Sequence, residues 1–375
     1  MQFIDLKAQY KALKTEIDAN VQSVLNSAQF IGGPYVKELE AELAAFTGRK
    51  HCVTCANGTD ALQLAFMAAG VGEGDAVFCP DMTFISSTEP AKMFGAASVF
   101  CDITPDTWCL DPASLERQVR AVLAEGRLTP KAVVAVDILG NPCDYAAIAP
   151  ICEKYGLTLI EDAAQSFGAS YHGKRACAFG HTATTSFFPA KPLGCYGDGG
   201  AVFTDDDETA ALFRSLCVHG KGPGGKYDNV RVGMNSRLDN LQAAVLLPKL
   251  KALADYELDA RQAAAERYGD AFAGKLATPF VAEGCASAWA QYALLAEDTA
   301  RRDRIVAHLT EKGIPNMIYY PKPQHALPVF RDEPAYGETF KNADDYCART
   351  FSLPMHPYLT EEEQDRVIRA VLEAL

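Results

Sequence analysis

Between residues 51 and 161, short apolar runs alternate with segments of helical periodicity. The runs predict strands at residues 51–55, 76–79, 97–101, 132–136 and 157–161. The intervening segments predict helices at residues 61–69, from about 84 onward, 112–124 and 145–155. This alternation indicates a mostly parallel sheet with helices on both faces. Ligands of such sheets bind at the carboxyl ends of the strands, so polar residues there are the first candidates for function.

Helical periodicity continues on both sides of this block. Amphipathic helices are predicted at residues 10–27 and 35–47, with a turn cluster between them. Downstream, the pattern predicts helices at 208–216, from 238 past 264, 301–311 and 361–375, strands at 289–295 and 315–320, and a loop at 219–229. We therefore expect a large α/β domain over residues 1–250, including the N-terminal helix, and a smaller α+β domain over residues 251–375.

The amino-acid composition indicates which classes of binding partner are disfavoured. The 375 residues include 35 basic and 48 acidic side chains, a net charge of −13. This balance disfavours binding to nucleic acid or to an anionic membrane surface, although a pocket can still bind a small anion. The N-terminus has no basic-then-apolar signal pattern, and no apolar run is long enough to span a bilayer. The cytoplasm is the expected location.

The twelve cysteines are mostly isolated along the chain. Cys52 and Cys55 have CxxC spacing, but no second CxxC or histidine pair completes a zinc site. In a strand, residues three apart point to opposite faces. Free structural thiols and no bound metal are therefore expected, with a metal or redox site as the alternative.

The most unusual stretch is a lysine loop between two strand-like runs, at residues 184–204. Pro189 and Pro192 flank Lys191, and because each proline lacks an N–H and fixes its φ, the loop is neither a regular helix nor a central strand. A lysine on a stiff loop near apolar residues can lose its proton and attack carbonyl groups. The alternative is an ordinary solvated lysine.

A second feature is Asn57-Gly58-Thr59-Asp60, which follows a predicted strand and opens a helix. The free N–H groups and dipole of a helix start bind phosphate well, and Thr59 adds a hydroxyl. The same residue types also serve as ordinary helix caps.

A third feature is the pair of acids Glu161 and Asp162 at the end of a buried strand. Adjacent strand residues point to opposite faces, so only one of them faces a ligand. A buried carboxylate needs a partner, and a protonated pyridine nitrogen would serve, with Gln165 in reach of a ring oxygen. A helix cap or a salt bridge is the alternative. After another strand, Phe84 either stacks on a flat ring or belongs to the core.

Together these features predict a site for pyridoxal phosphate. That cofactor requires a phosphate site, a partner for its ring nitrogen, a stacking side chain and a lysine that binds it covalently.

On these residues the chain resembles the sugar aminotransferases of the DegT/DnrJ/EryC1/StrS family, which have the aspartate aminotransferase-like fold (pyridoxal phosphate fold type I). The similarity covers nearly the full length. It rests on motifs at residues 3–6, 56–62, 161–166, 186–194, 197–200 and 235–239, of which the lysine loop is the most specific.

The resemblance implies a role for each matching residue and a homodimer with shared active sites. By resemblance, Lys191 binds the cofactor covalently and transfers protons, Asp162 pairs with the ring nitrogen, Gln165 approaches the ring hydroxyl and Phe84 stacks on the ring. Gly58, Thr59 and Ser186 are expected to bind the phosphate, and Asn235 is expected to reach the phosphate in the neighbouring subunit.

Within the family, the resemblance points to glutamate as amino donor and UDP-2-acetamido-2-deoxy-3-oxo-glucuronate as acceptor, in polysaccharide or O-antigen sugar biosynthesis. A guanidinium such as that of Arg237 is the natural partner of a uronate carboxylate, although relatives with neutral sugars also carry an arginine there. Close relatives have His-Tyr in place of Tyr319-Tyr320 and Tyr in place of Phe30. By resemblance, these three positions contact the nucleotide or the sugar.

Three alternatives stay open. In the first alternative, the acceptor would be a 4-oxo sugar or a neutral 3-oxo sugar instead of the 3-oxo sugar acid. A related dehydratase branch replaces the lysine by histidine, and the presence of Lys191 disfavours it. A regulator that binds DNA is disfavoured by the acidic charge and by the lack of a basic patch or helix-turn-helix.

Overall fold

The computed structural model describes residues 1–225 and 227–375. Lys226, within the predicted loop at 219–229, lies outside the described residues. In the described part of the chain, the strands are β1 (His51–Cys55), β2 (Asp75–Pro80), β3 (Ala97–Cys101), β4 (Thr129–Val136), β5 (Thr158–Asp162), β6 (Ser170–Tyr171), β7 (Lys174–Arg175), β8 (Thr182–Ser186), β9 (Gly200–Thr204), β10 (Cys285–Ala286), β11 (Tyr292–Leu295) and β12 (Thr350–Leu353).

The central element is a seven-stranded sheet with the order β1-β9-β8-β5-β4-β2-β3. Neighbouring strands from β8 to β3 are parallel, and only β9 runs in the opposite direction, because it pairs antiparallel with both β8 and β1. Most residues of these strands are buried, as expected for a sheet covered on both faces. The predicted fold class, a large and mostly parallel α/β sheet, is confirmed.

The α-helices of the described residues are α1 (Leu6–Ser27), α2 (Pro34–Thr47), α3 (Gly58–Ala69), α4 (Glu89–Met93), α5 (Pro112–Glu125), α6 (Tyr145–Tyr155), α7 (Asp207–Leu216), α8 (Asn240–Ala252), α9 (Leu258–Phe272), α10 (Thr299–Glu311), α11 (Lys341–Arg349) and α12 (Glu361–Ala374). Most begin at a residue whose side chain accepts a hydrogen bond from a first-turn N–H. These caps are Asp5, Asn57, Asp111, Asp144, Asp206, Asp298 and Thr360.

Two predicted elements need correction. The helix expected from about residue 84 is a 3₁₀ turn, Ile85–Ser87, followed by the short α4. The strand expected at 315–320 is wrong, because this segment makes only an isolated bridge between Met317 and Ser352. Pro315 begins the segment and Pro321 follows it, and neither can donate a ladder hydrogen bond. The long helix predicted from residue 238 past residue 264 is present, and it contains a π-helical turn, Leu253–Glu257, between α8 and α9.

The C-terminal third of the chain contributes to two apolar cores. The largest apolar cluster surrounds β2–β5, and a separate one joins α9, α10, α12, β11 and β12. The first cluster also contains Phe330, Phe340 and Tyr346, so this part of the C-terminal third packs on the large sheet. The division of the chain at residue 250 stays a prediction.

None of the helices in the described ranges has the length and apolarity needed to cross a bilayer. In the described part of the chain, all cysteines are free, and all except Cys285 are buried. Burial raises the pKa of both Cys52 and Cys55, which keeps these thiols protonated and unreactive. Within residues 1–225 and 227–375, no group of three or more His, Cys, Asp or Glu side chains is arranged to hold a metal ion.

Candidate active site

One cavity of about 470 Å³ opens where the carboxyl ends of β1, β2, β4, β5 and β8 meet. A volume of this size is typical of small-molecule sites. Of the residues predicted for the site, the cavity is lined by Gly58, Thr59, Phe84, Asp162, Gln165, Ser186, Lys191, Tyr319 and Tyr320. The sheet edge therefore gathers residues that are far apart in the sequence.

The start of α3 forms one end of the cavity. Asn57 caps the helix by accepting the Asp60 N–H at 2.8 Å, and the hydroxyl of Thr59 donates to Ser86 Oγ at 2.9 Å. A Cβ on Gly58 would lie 2.6 Å from Cβ of Ser186, so the helix start and the end of β8 approach each other too closely for a side chain at position 58. First-turn N–H groups have no acceptor within their own helix, and hydroxyls surround them here. This arrangement fits a phosphate group.

Asp162 lies deeper in the cavity and is 4% exposed. Its carboxylate accepts hydrogen bonds from Ser87 Oγ at 2.7 Å and from the Ala164 N–H at 3.1 Å. Burial raises the pKa of Asp162, and the two hydrogen bonds and the charge of Lys191 oppose that rise. Among the described residues, no cationic nitrogen lies within 4.0 Å of this carboxylate. A buried carboxylate without an ion pair fits a protonated ring nitrogen.

Glu161 points to the other face of β5. Its carboxylate accepts the backbone N–H groups of Cys177 at 2.6 Å and Phe179 at 2.8 Å, away from the cavity. Only one of the two adjacent acids therefore faces the cavity, as strand geometry predicts.

Lys191 projects into the cavity from the loop between β8 and β9. Its N–H donates to the Phe188 carbonyl at 2.9 Å, which closes a tight turn next to Pro189. Burial lowers the pKa of Lys191, and the carboxylate of Asp162 partly opposes that shift. A lower pKa increases the fraction of neutral amine, which is the nucleophilic form.

The amide of Gln165 has a fixed orientation. Its Oε1 accepts the Leu139 N–H at 2.5 Å, and its Nε2 donates to Tyr320 Oη at 2.9 Å. Tyr346 Oη donates to the Tyr319 carbonyl at 2.9 Å and so anchors the two-tyrosine segment. The amide nitrogen, not its oxygen, is therefore the group of Gln165 that can donate to a ring oxygen.

Phe84 lies at the cavity mouth and is 51% exposed. Its ring centroid is 6.1 Å from that of Tyr320, with a tilt of 37° between the rings. Since Phe84 is half exposed and belongs to none of the apolar cores, its position fits contact with a flat ligand.

Phe30, Asn235 and Arg237 do not line the cavity of their own chain. Arg237 Nη2 donates to Asn235 Oδ1 at 2.5 Å, and the Phe30 carbonyl accepts the N–H of Asn240, three residues after Arg237. Phe30 is 44% exposed, and nearby Val232 is 85% exposed. These residues thus share a surface outside the cavity.

The sequence-based prediction missed several lining residues. Thr83, Ser86 and Ser87 follow β2, and the hydroxyls of Thr83 and Ser87 lie 2.9 Å apart next to Asp162. The hydroxyl-rich run after a strand end was a usable signal, and the identification of Phe84 alone overlooked it. Gln291 reaches the cavity from the C-terminal third and has no local signal.

Comparison with known proteins gives consistent matches. The family model described as the DegT/DnrJ/EryC1/StrS aminotransferase family matches residues 11–372. The UDP-2-acetamido-2-deoxy-3-oxo-D-glucuronate aminotransferase of Pseudomonas aeruginosa is 46% identical over 362 residues, which is 96% of each chain. The "Pleiotropic regulatory protein" of Geobacillus stearothermophilus is 41% identical, over 99% of this chain and 97% of its own. A solved DegT DnrJ EryC1 StrS aminotransferase from Brucella abortus has a TM-score of 0.97 at 45% identity, covering 100% of this chain and 99% of its own.

The contacts of Asp162 and Glu161 predict opposite effects for two matched substitutions, one at each acid. Asp162→Asn keeps the volume and a hydrogen-bond acceptor but removes the charge. We expect near-native resistance to urea and more than about 100-fold weaker binding of added pyridoxal phosphate, since losing one partner of a buried ion pair costs about 3–5 kcal/mol. Absorbance titration of the purified variant measures the affinity.

Glu161→Gln is the control, because its NH₂ group would face a backbone N–H. It should lower the free energy of unfolding by about 1–3 kcal/mol while cofactor affinity stays native. Equal cofactor affinity in the two variants would contradict the assignment of Asp162.

Proposed function

The chain belongs to the DegT/DnrJ/EryC1/StrS aminotransferase family, and we propose that it transfers the amino group of glutamate to a UDP-linked 3-oxo sugar acid. Aminotransferases of this family depend on pyridoxal phosphate, so the chain is a pyridoxal phosphate-dependent sugar aminotransferase. The single observation that carries the proposal is the cavity in which Lys191 and the unpaired carboxylate of Asp162 face the same space.

When bound, pyridoxal phosphate supplies an electron sink and a carrier for the amino group. The first turn of α3, with Thr59 and Ser186, would hold the phosphate. Asp162 would keep the ring nitrogen protonated, and Gln165 Nε2 would donate to the ring oxygen. Phe84 would pack on the ring and limit access of water.

Lys191 would hold the cofactor covalently through Nζ. As a free amine, the same group would accept and return a proton at a substrate carbon. The lowered pKa of Lys191 suits this role, because a group that both takes and gives a proton works best when its pKa is near the operating pH.

The proposed acceptor sugar rests on the similarity to a named relative and on the positive charge of Arg237. The Pseudomonas aeruginosa relative is named for a 3-oxo-glucuronate substrate, and Arg237 offers a guanidinium to a carboxylate. A nucleotide-linked amino sugar acid is a suitable precursor for a surface polysaccharide such as O-antigen. We expect these steps in the cytoplasm, and the free thiols are consistent with a reducing compartment.

We also propose a homodimer with shared active sites. Phe30, Asn235 and Arg237 lie outside the cavity of their own chain, although the resemblance assigns them to substrate and phosphate. The surface that carries them exposes Ile31, at 52%, and Val232, which a second copy would cover. In this arrangement Asn235 and Arg237 act on the partner's cavity.

A regulatory role is the second candidate, because the Geobacillus stearothermophilus relative has a regulatory name. Salt-sensitive retention of this protein on DNA at modest ionic strength would favour that role. The net charge of −13 argues against it.

Lys191→Ala should fold normally, bind the amine form of the cofactor without a covalent bond, and lose turnover by more than about 10³-fold. Initial rates of oxoglutarate release from glutamate measure the loss. Exposed Lys174→Ala is the control and should be fully active. In the wild-type protein, borohydride reduction and peptide mapping should place a pyridoxyl label on Lys191. Near-normal turnover of Lys191→Ala, or a label elsewhere, would reject this mechanism.

Arg237→Ala tests the acceptor. If the guanidinium binds the uronate carboxylate, kcat/KM for the 3-oxo acid should fall at least about 10-fold more than kcat/KM for the neutral 3-oxo sugar, given the strength of charge-assisted hydrogen bonds. Steady-state kinetics with both sugars, and with a 4-oxo sugar, give the comparison. Equal losses for acid and neutral sugar would exclude the role of Arg237, and a wild-type preference for the 4-oxo sugar would exclude the proposed substrate.

Mixing two inactive variants tests the shared site. Lys191→Ala and Asn235→Ala homodimers should each be inactive. After subunit exchange, half of the dimers are mixed, and one site in each carries both native residues, so activity should return to about one quarter of the wild-type value. Specific activity after controlled unfolding and refolding of the mixture measures the recovery. No recovery, despite mixed dimers detected by mass, would show that Asn235 serves its own chain.

A further inference from the structure

Lys249 is a buried cation on α8 behind the lysine loop. It is 1% exposed, whereas Lys251, two residues further along the same helix, is exposed. The Nζ of Lys249 donates a hydrogen bond to the Gly194 carbonyl and lies 4.9 Å from the centre of the Tyr196 ring. Among the described residues, no carboxylate lies within 4.0 Å of this nitrogen. The partners of the buried charge are therefore a loop carbonyl and an aromatic face.

Such a charge is expensive to bury. An apolar side chain of similar length would avoid the desolvation of an ammonium group and would often be at least as stabilising. Burial lowers the pKa of Lys249 to about 8, Glu257 and Cys195 oppose that shift, and Arg261 adds to it. At neutral pH the side chain is therefore mostly charged and forms a charge-assisted hydrogen bond. We therefore expect the effect of Lys249 in the lysine loop that it contacts.

The Gly194 carbonyl belongs to the closing limb of that loop. The Cys195 N–H donates to the Phe187 carbonyl at 2.8 Å, and a Cβ on Gly194 would lie 2.5 Å from the Pro189 carbonyl oxygen. The two limbs of the loop are thus in direct contact across Gly194. A displacement of Gly194 would therefore shift Pro189, and with it Lys191.

A second side chain of α8 holds the same limb. Gln242 accepts the Tyr196 N–H at 2.8 Å and donates to the Tyr196 carbonyl at 3.3 Å. Lys249 and Gln242 lie seven residues apart, about two helical turns, and so face the same side of α8. The helix thereby fixes residues 194–196 at two points.

We propose that Lys249 is a positioning residue for Lys191: its ammonium group fixes the Gly194 carbonyl and thereby holds the lysine loop in its reactive position. The inference rests on the proposed function of Lys191. Because α8 begins directly after residues 235–239, the same helix also sets the distance between the lysine loop and the segment that carries Asn235 and Arg237.

Lys249→Met tests this role, with Lys251→Met on the same helix as the matched control. The first measurement is amide hydrogen exchange in the full-length protein, with and without added pyridoxal phosphate. Losing a hydrogen bond from a charged group should speed exchange of the Lys191 and Cys195 amides by about 10-fold or more, since such bonds contribute about 1.5–3 kcal/mol. Amides in α9 and in the central strands should exchange as in the wild type.

The second measurement separates positioning from binding. Lys249→Met should lower kcat about 10-fold or more, with KM for glutamate and for the sugar changed less than about 3-fold, because the substrate contacts are intact while the amine is misplaced. Lys251→Met should change neither exchange nor kcat. If Lys249→Met does not fold, Lys249→Gln, which keeps a donor but loses the charge, undergoes the same measurements.

Unchanged loop exchange in the folded variant would overturn the proposal, as would unchanged kcat. Faster exchange throughout the molecule, with kcat falling only as the folded fraction falls, would also overturn it by showing a general structural role. A wild-type protein without aminotransferase activity would contradict the proposed function, and the exchange measurement would still decide whether Lys249 holds the loop.

Discussion

The candidate site depends on a buried negative charge that has no cationic nitrogen within 4.0 Å among the described residues. Asp162 ends a central strand, is almost fully covered, and is held by a serine hydroxyl and a backbone N–H. Burial by itself would favour protonation of this carboxyl. A cationic ring placed against it would restore the charged form, and the ring would in turn keep its own proton. Each group thus makes the other's charged state stable, which links cofactor binding to the electronic property that the chemistry needs.

The central sheet places the other residues of the site around Asp162. Because β9 alone is reversed, the loop between β8 and β9 returns across the edge where the carboxyl ends of the other strands lie. That loop therefore brings Lys191 to the same edge as the start of α3. The close contact between Gly58 and Ser186 draws the two sides of the cavity together at the start of α3.

Much of this could be predicted from the sequence. Buried parallel strands are continuous apolar runs, and the capping residues mark where the helices begin, so the large sheet was recognisable from local pattern. The lysine loop was recognisable because two prolines restrict it. The segment at 315–320 could not be predicted in this way, since Tyr319 and Tyr320 pack against the core of the large sheet and line the cavity without forming a ladder. Gln291 approaches the cavity through tertiary packing, which leaves no trace in local periodicity. The hydroxyls of Ser86 and Ser87 were visible, but serines are common after strands and indicate little alone.

The π-helical turn at Leu253–Glu257 changes the phase of the helix that crosses from one core to the next. One added residue rotates every later side chain by about 100° around the axis, since an α-helix has 3.6 residues per turn. Before the turn, Leu246 and Leu250 face the core beneath the lysine loop, and after it Tyr268 and Phe272 face the C-terminal core. Within the turn, Glu257 accepts hydrogen bonds from Gln9 and Tyr358, which joins the first and last parts of the chain. A continuous α-helix of the same sequence would direct one of these apolar stripes away from its core, so the turn allows a single helical rod to serve two interiors with different orientations.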